Sequence, residues 1–217
     1  MLRGFYAICD VNLAETASVG LKAKVIARTE VLLGAAPCML QLRAKHAPAE
    51  VLWQLAAAVR PLCAEAGVPF CVNDRLDVAL AVGADAVHLG QDDLPLHAAI
   101  AVRDRGGRPL SIGISTHNEA QAAAACAGGA DYIGFGPLFA THTKENPDPV
   151  VGLARLAAVV KEATVPVVGI GGVTLETVVA VAATGAAAAA VISAVAKHAK
   201  PAAAGALVNR AFGIEAP

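Results

Sequence analysis

Val82-Gly83-Ala84-Asp85-Ala86-Val87-His88-Leu89-Gly90-Gln91-Asp92-Asp93 contains one complete joint of this protein's architecture. A glycine, tolerant of positive φ, ends an alanine-rich segment with helical spacing. A short continuous apolar run follows, Ala86–Leu89, and polar residues begin where it stops. The start of this pattern returns as Gly128-Gly129-Ala130-Asp131 before Tyr132–Phe135, and as Thr184-Gly185-Ala186-Ala187 before Ala188–Ile192. Three similar joints point to a repeated β–α unit.

Working outward from these joints, apolar runs recur roughly every 27 residues, the 217-residue length shared among eight units. They are Phe5–Cys9, Cys38–Leu42, Pro69–Val72, Ala86–Leu89, Leu110–Ile114, Tyr132–Phe135, Val165–Ile170 and Ala188–Ile192. Each is continuous rather than alternating, as in a parallel strand covered on both faces. Helical segments lie between and after them, at about 20–34, 49–66, 75–83, 95–105, 118–128, 152–163, 174–184 and 201–212. Strand–helix alternation imposes a parallel sheet, and eight units favour closure over an open doubly wound sheet. The expected fold is α/β: a single (β/α)8 TIM barrel spanning residues 1–217, with no composition shift marking a second domain.

Composition narrows the function classes. A formal net charge of −1, a pI near 6.6 and 4% aromatics offer neither a basic footprint nor stacking platforms, so no nucleic acid is expected. Thr177–Ala196 carries no charge over a length sufficient to span a bilayer. Its alanine tracts, Gly185 and hydroxyl residues instead suit a buried helix, a turn and a buried strand, so no membrane span is expected. Five cysteines, Cys9, Cys38, Cys63, Cys71 and Cys126, form no C-x-x-C pair. With no signal-peptide pattern at the N-terminus, they suit a reducing cytoplasm. Nothing in the pattern opposes a homo-oligomer.

Polar residues collect immediately after the apolar runs, at the strand ends where barrel active sites are built. They are Asp10; Arg43 and Lys45; Asn73 and Asp74; His88, Gln91 and Asp93; Ser115 and His117; Thr141, Thr143 and Lys144; Gly171 and Gly172; and Ser193. Arg43, Lys45 and Lys144 suit an anionic ligand. Asp74 and Asp93 follow neighbouring strands about 5 Å apart, an arrangement typical of Mg2+ shared with phosphate oxygens. Both also stand where helix N-caps are expected. Gly171-Gly172 and Ile192-Ser193 occupy the loops where barrels commonly bind a monophosphate. His88 reads as a satisfied structural histidine, His117 and His142 flank the mouth, and His46, His97 and His198 look like surface residues. Trp53 reads as helix packing, and residues 140–150 are the candidate lid.

The segments Gln41-Leu42-Arg43-Ala44-Lys45, Val72-Asn73-Asp74-Arg75-Leu76-Asp77 and Gly83 to Leu94 resemble the thiamin phosphate synthase family. Gly113 to His117, Ala130 to Phe139, Thr141-His142-Thr143-Lys144, Gly169 to Gly172 and Val191-Ile192-Ser193 continue the resemblance in order. The resemblance implies transfer of a hydroxymethylpyrimidine from its diphosphate to the nitrogen of a thiazole phosphate, releasing pyrophosphate. It implies a pyrimidine diphosphate site at Gln41, Leu42, Arg43, Ala44, Lys45, Asn73, Ser115 and Lys144. Arg43, Lys45, Ser115 and Lys144 would act in catalysis, and Asp74 and Asp93 would hold Mg2+. The thiazole phosphate would lie against Thr141, Thr143, Gly172, Ile192 and Ser193, with His142 a further substrate contact at the mouth. Ala44 departs from the family pattern, which often places an acidic residue between the arginine and the lysine. The alternatives are a thiazole tautomerase of the same fold and a non-catalytic thiamin-phosphate-binding protein. Retention of the second aspartate and the Gln91-to-Asp93 loop argues against the first, and retention of Asp74, Asp93 and Lys144 against the second.

Overall fold

The computed structural model describes residues 2–11, 20–140 and 148–215. The elements run β1 (Gly4–Asp10), α1 (Leu21–Leu33), β2 (Met39–Arg43), α2 (Ala49–Glu65), β3 (Phe70–Asn73), α3 (Leu76–Val82) and β4 (Ala86–Leu89). They continue with α4 (Leu96–Gly106), β5 (Ser111–Thr116), α5 (Glu119–Ala127), β6 (Tyr132–Phe135), α6 (Gly152–Glu162) and β7 (Val167–Ile170). The last are α7 (Val178–Ala183), β8 (Ala188–Val191), α8 (Ser193–Ala196) and α9 (Pro201–Ala211). The strands pair in parallel in chain order, and β1 closes on β8 through registers such as Gly4 with Ala188. This is the closed (β/α)8 barrel expected from the repeat.

The apolar runs conceal an alternation. Phe5, Ala7, Leu40, Leu42, Phe70, Val72, Ile112 and Ile133 point outward into the helix layer. Tyr6, Ile8, Met39, Cys71, Ala86, Tyr132, Val168 and Ala190 form a second cluster inside the barrel. Gly113 makes that interior possible, because a Cβ there would lie 2.1 Å from the Tyr132 ring.

The repeated joint also has a physical basis. Gly83 caps α3 in the left-handed conformation at φ 65. Asp85 then donates its backbone N–H to the Phe70 carbonyl, and its carboxylate accepts from the Phe70 N–H at 2.8 Å. Asp131 does the same two β–α units later, with its N–H on the Ile112 carbonyl and its carboxylate on the Ile112 N–H at 2.8 Å. Arg60 and Arg103 approach the two carboxylates at 3.3 and 3.4 Å. Ala187, lacking a carboxylate, keeps only the backbone half of the arrangement, with its N–H on the Val167 carbonyl.

Three expectations need correction. The helix expected over 174–184 is shorter, because Thr174 and Thr177 form a hydrogen-bonded turn before α7. The four-residue α8 lies where only a loop was expected. Trp53 is 47% exposed on α2 rather than packed away. All five cysteines are free thiols, and no described helix is long and apolar enough to cross a membrane.

Candidate active site

At the C-terminal mouth of the strands lies a cavity of about 400 Å3. Gln41, Arg43, Lys45, Asn73, Asp74, Asp93, Ser115, His117 and Ile192 all line it. Leu42 and Ala44 do not, and their side chains belong to the outer core. Ser193 is exposed at the start of α8, and neither it nor Gly172 lines the cavity. Thr141, His142, Thr143 and Lys144 lie outside the described residues, as does most of the candidate lid.

Each charged side chain is placed by its strand end. Asp10 and Arg43 are register partners on β1 and β2, joined at 2.6 Å with neither side chain more than 22% exposed. Asp10 thus holds the Arg43 guanidinium from the neighbouring strand, and its own backbone carbonyl accepts from Arg28. Asp74 sits at φ 63, an unusual conformation for a residue with a side chain, and donates its N–H to the His88 carbonyl at 2.8 Å. The Asp93 carboxylate folds back to accept from the Gly90 N–H at 2.6 Å. Neither aspartate is a helix cap: α3 and α4 begin after Arg75 and Pro95 without a side-chain capping bond.

Asp74 and Asp93 lie against each other. Burial, reinforced by the hydrogen bond and like charge from Asp93, pushes the Asp74 carboxyl up to about 7, while Lys45 and Arg43 pull it back. Two hard oxygen donors competing for a proton suit a divalent cation, which would relieve their repulsion. Among the described residues no third acidic, histidine or cysteine side chain completes a metal cluster. That donor set fits Mg2+, which keeps waters and takes phosphate oxygens as ligands.

Below the charges runs a buried polar chain that the sequence did not reveal. Gln41 Nε2 donates to the Tyr6 hydroxyl at 2.9 Å, which meets the Tyr132 hydroxyl at 3.1 Å. Tyr132 meets His88 Nδ1 at 3.1 Å, and His88 Nε2 meets the Ser115 hydroxyl at 2.9 Å. Burial pushes both phenols well above their ordinary range and the His88 imidazole down to about 4, so all three are neutral at neutral pH. His88 is the satisfied histidine that its strand position suggested. His117 is held as well, with Nδ1 on the Gly136 carbonyl at 2.6 Å and Nε2 3.5 Å from Asp148. The signal for the chain lay in Tyr132-Ile133-Gly134-Phe135-Gly136, where glycines alternate with bulky residues and leave room inside the barrel.

Gly171 and Gly172 adopt φ of 91 and 67 and pack against the loop after β6. Phe139 donates its N–H to the Gly171 carbonyl at 3.0 Å, and a Cβ on Gly172 would lie 2.5 Å from the Ala140 carbonyl oxygen. Close backbone packing therefore accounts for these glycines whether or not a phosphate binds there.

A sequence model described as thiamine monophosphate synthase matches residues 5–195. The thiamine-phosphate synthase of Methanospirillum hungatei is 44% identical over 172 residues, covering 79% of this chain and 79% of that protein. That of Chloroflexus aurantiacus is 41% identical over 168 residues, covering 77% of this chain and 73% of that one. Among solved structures, the thiamine phosphate pyrophosphorylase of Pyrococcus furiosus superposes with a TM-score of 0.81 at 31% identity, covering 98% of this chain and 96% of that one. A 3-hexulose-6-phosphate synthase, at 19% identity and a TM-score of 0.71, shares the fold alone. The motifs around the cavity, the matched length and the identity to these relatives agree: the chain belongs to the thiamine monophosphate synthase family.

Proposed function

We propose that this chain is the transferase that joins hydroxymethylpyrimidine diphosphate to thiazole phosphate, giving thiamin phosphate and pyrophosphate, with loss of CO2 where the thiazole is carboxylated. The observation that carries this reading is the convergence of Arg43, Lys45, Asn73, Asp74, Asp93 and Ser115 on one cavity in a chain of this family. The reaction breaks the pyrimidine CH2–O bond, and its electron pair leaves with pyrophosphate. The thiazole nitrogen then gives its lone pair to the carbon. No protein nucleophile is needed. What the site must supply is counter-charge for the leaving group and a fixed approach for the nitrogen.

Arg43, held by Asp10, offers a planar fork to the diphosphate, and Lys45 adds a second positive charge. Asp74 and Asp93 would hold Mg2+, which when bound supplies positive charge shared with diphosphate oxygens. Lys144 completes the cationic set by family resemblance. Thr141, Thr143, Gly172, Ile192 and Ser193 are assigned to the thiazole phosphate on the same ground, with His142 a further substrate contact and Ile192 lining the cavity itself. Free thiols suit a cytoplasmic protein.

The test is chromatographic detection of thiamin phosphate with both substrates and Mg2+, omitting one component at a time. Product should form only in the complete mixture. Isomerisation of the thiazole alone would identify the tautomerase instead.

A further inference from the structure

After β6 the chain is tied to the barrel at both of the points between which Lys144 falls. On the way out, Leu138 and Phe139 donate their backbone N–H groups to the Ile170 and Gly171 carbonyls at 2.9 and 3.0 Å. On the way back, Val151 donates to the Pro137 carbonyl at 2.8 Å, just before α6. Asp148 adds a side-chain contact, its carboxylate lying 3.5 Å from His117 Nε2. The two side chains are 23% and 34% exposed, so water screens the pair only in part. The His117 backbone is itself fixed, because its N–H donates to Gln121 Oε1 at 2.7 Å and the Gln121 N–H donates to Asn118 Oδ1, the cap of α5. The ring is fixed as well. Nδ1 lies 2.6 Å from the Gly136 carbonyl, which can only accept, so Nδ1 carries a hydrogen. Nε2 is then the atom left for Asp148, and as an imidazolium the ring donates to the carboxylate.

We propose that His117 is a positioning residue: through Asp148 it fixes the returning chain against β5, and so sets the reach of Lys144. The inference deepens the proposed function and rests on it for the role of Lys144. Both His117 and Asp148 line the cavity, yet neither ring nitrogen is left for the reaction, since Nδ1 is spent on Gly136 and Nε2 on Asp148. What the pair does is geometric. Lys144 must reach a diphosphate held by Arg43, Lys45 and the facing aspartates. A second fixed point close to Lys144 in the chain removes arrangements in which its ammonium points elsewhere, before any substrate arrives. A cation placed in advance meets the charge that grows on the leaving group, so the tie acts on kcat more than on KM.

The experiment compares the wild type, Asp148→Ala and Asp148→Asn in the full chain. The asparagine amide can donate to a bare Nε2, so that variant keeps the contact without its charge. Asp148→Ala should lower kcat about 10-fold, with either KM changing less than about 3-fold. Asp148→Asn should recover most of the loss. In a Lys144→Ala background, Asp148→Ala should cost less than about 2-fold, since its target is gone. Should Asp148→Ala fail to fold, His117→Gln reads the same tie from the other side. Nitrogen NMR of the chain labelled at histidine, with His117 identified by comparison with His117→Gln, should show hydrogen on Nδ1 and an Nε2 signal that moves in Asp148→Ala. A bare Nδ1, an Nε2 signal indifferent to Asp148, an unchanged kcat, an asparagine variant no better than alanine, or full additivity with Lys144→Ala would each overturn the tie. Calorimetry with Mg2+ and inorganic pyrophosphate separates this inference from the reaction it rests on. Asp148→Ala should weaken pyrophosphate binding about 3-fold or more, and only while Lys144 is present. That coupling in a wild type that makes no thiamin phosphate would overturn the proposed reaction and leave the tie standing.

Discussion

The two ends of the barrel use the same residue type in opposite ways. At the N-terminal end, Asp85 and Asp131 each accept a backbone N–H at 2.8 Å and lie beside an arginine. At the C-terminal end, Asp74 and Asp93 face each other, and one of them holds a carboxyl pushed up to about 7. The first pair finishes hydrogen bonding that the strand starts would otherwise leave to water. The second pair stores repulsion that a cation can relieve. A bare aspartate count would treat all four alike. Their partners separate stability from function, in line with the division of labour between the bottom and top of such barrels.

The largest effect should come from the mouth. Asp93→Ala should lower turnover by about 100-fold or more, the scale of losing one element of electrostatic stabilisation. Its Tm should fall less than that of Asp85→Ala, because the lost bond to the Gly90 N–H is offset by relief of the repulsion with Asp74. Steady-state kinetics beside a thermal melt would check it, and a variant that merely unfolds would erase the contrast between the ends. Next in size, Asp85→Ala or Asp131→Ala should cost about 1–3 kcal/mol by orphaning a backbone N–H, which for a chain of this length is roughly 2–12 °C of Tm. Their kcat/KM should stay at the wild-type value, and a loss of activity in the folded variants would show that the two ends are not independent.

A subtler prediction uses pH. Asp74 has a folded pKa of about 7 against an ordinary 3.8. The protonated carboxyl therefore stabilises the metal-free fold fully below about pH 4, and that contribution is lost as pH rises through about 7. Asp74→Asn keeps a neutral group throughout. In EDTA, its Tm should gain on the wild type by several degrees between about pH 5 and pH 8, and Mg2+ should narrow the gap. His88, held down at about 4, works in the opposite direction and loses stability as pH falls below its ordinary 6.5. It is present in both proteins, so it cancels in the difference. A gap that does not change with pH would mean that Asp74 is already ionised without metal. Smallest of all, Ser193→Ala should raise KM for thiazole phosphate up to about 10-fold and leave the pyrimidine KM alone, by loss of one hydrogen bond to phosphate. Equal rises in both would blur the proposed division of the mouth. Ser193 serves better here than Gly172, where any side chain would collide with the loop at Ala140.

The sequence made the strands and the mouth legible for definite reasons. Buried parallel strands are short apolar runs, and polar residues resume where the barrel ends, so Arg43, Asn73, Asp74, Asp93 and Ser115 could be placed before any coordinates. It hid the direction in which each strand residue points. Tyr6 and Tyr132 sit in runs whose outward neighbours Phe5, Ala7, Ile133 and Phe135 are equally apolar, so no alternation betrays the inner face. Leu42 and Ala44, which the resemblance implies as ligand contacts, turn their side chains to the helices and have only their backbone to offer at the mouth. The Asp10–Arg43 pair was out of reach for another reason: it depends on register between β1 and β2, which no local pattern encodes.

The division between the two ends is tested most directly by manganese binding, read from the paramagnetic resonance of the free ion with inorganic pyrophosphate present. The wild type, Asp85→Ala and Asp131→Ala should each deplete the free signal equally. Asp74→Ala and Asp93→Ala should leave it close to that of buffer. Equal depletion by all five proteins would contradict the assignment of the facing carboxylates at the mouth as the cation site.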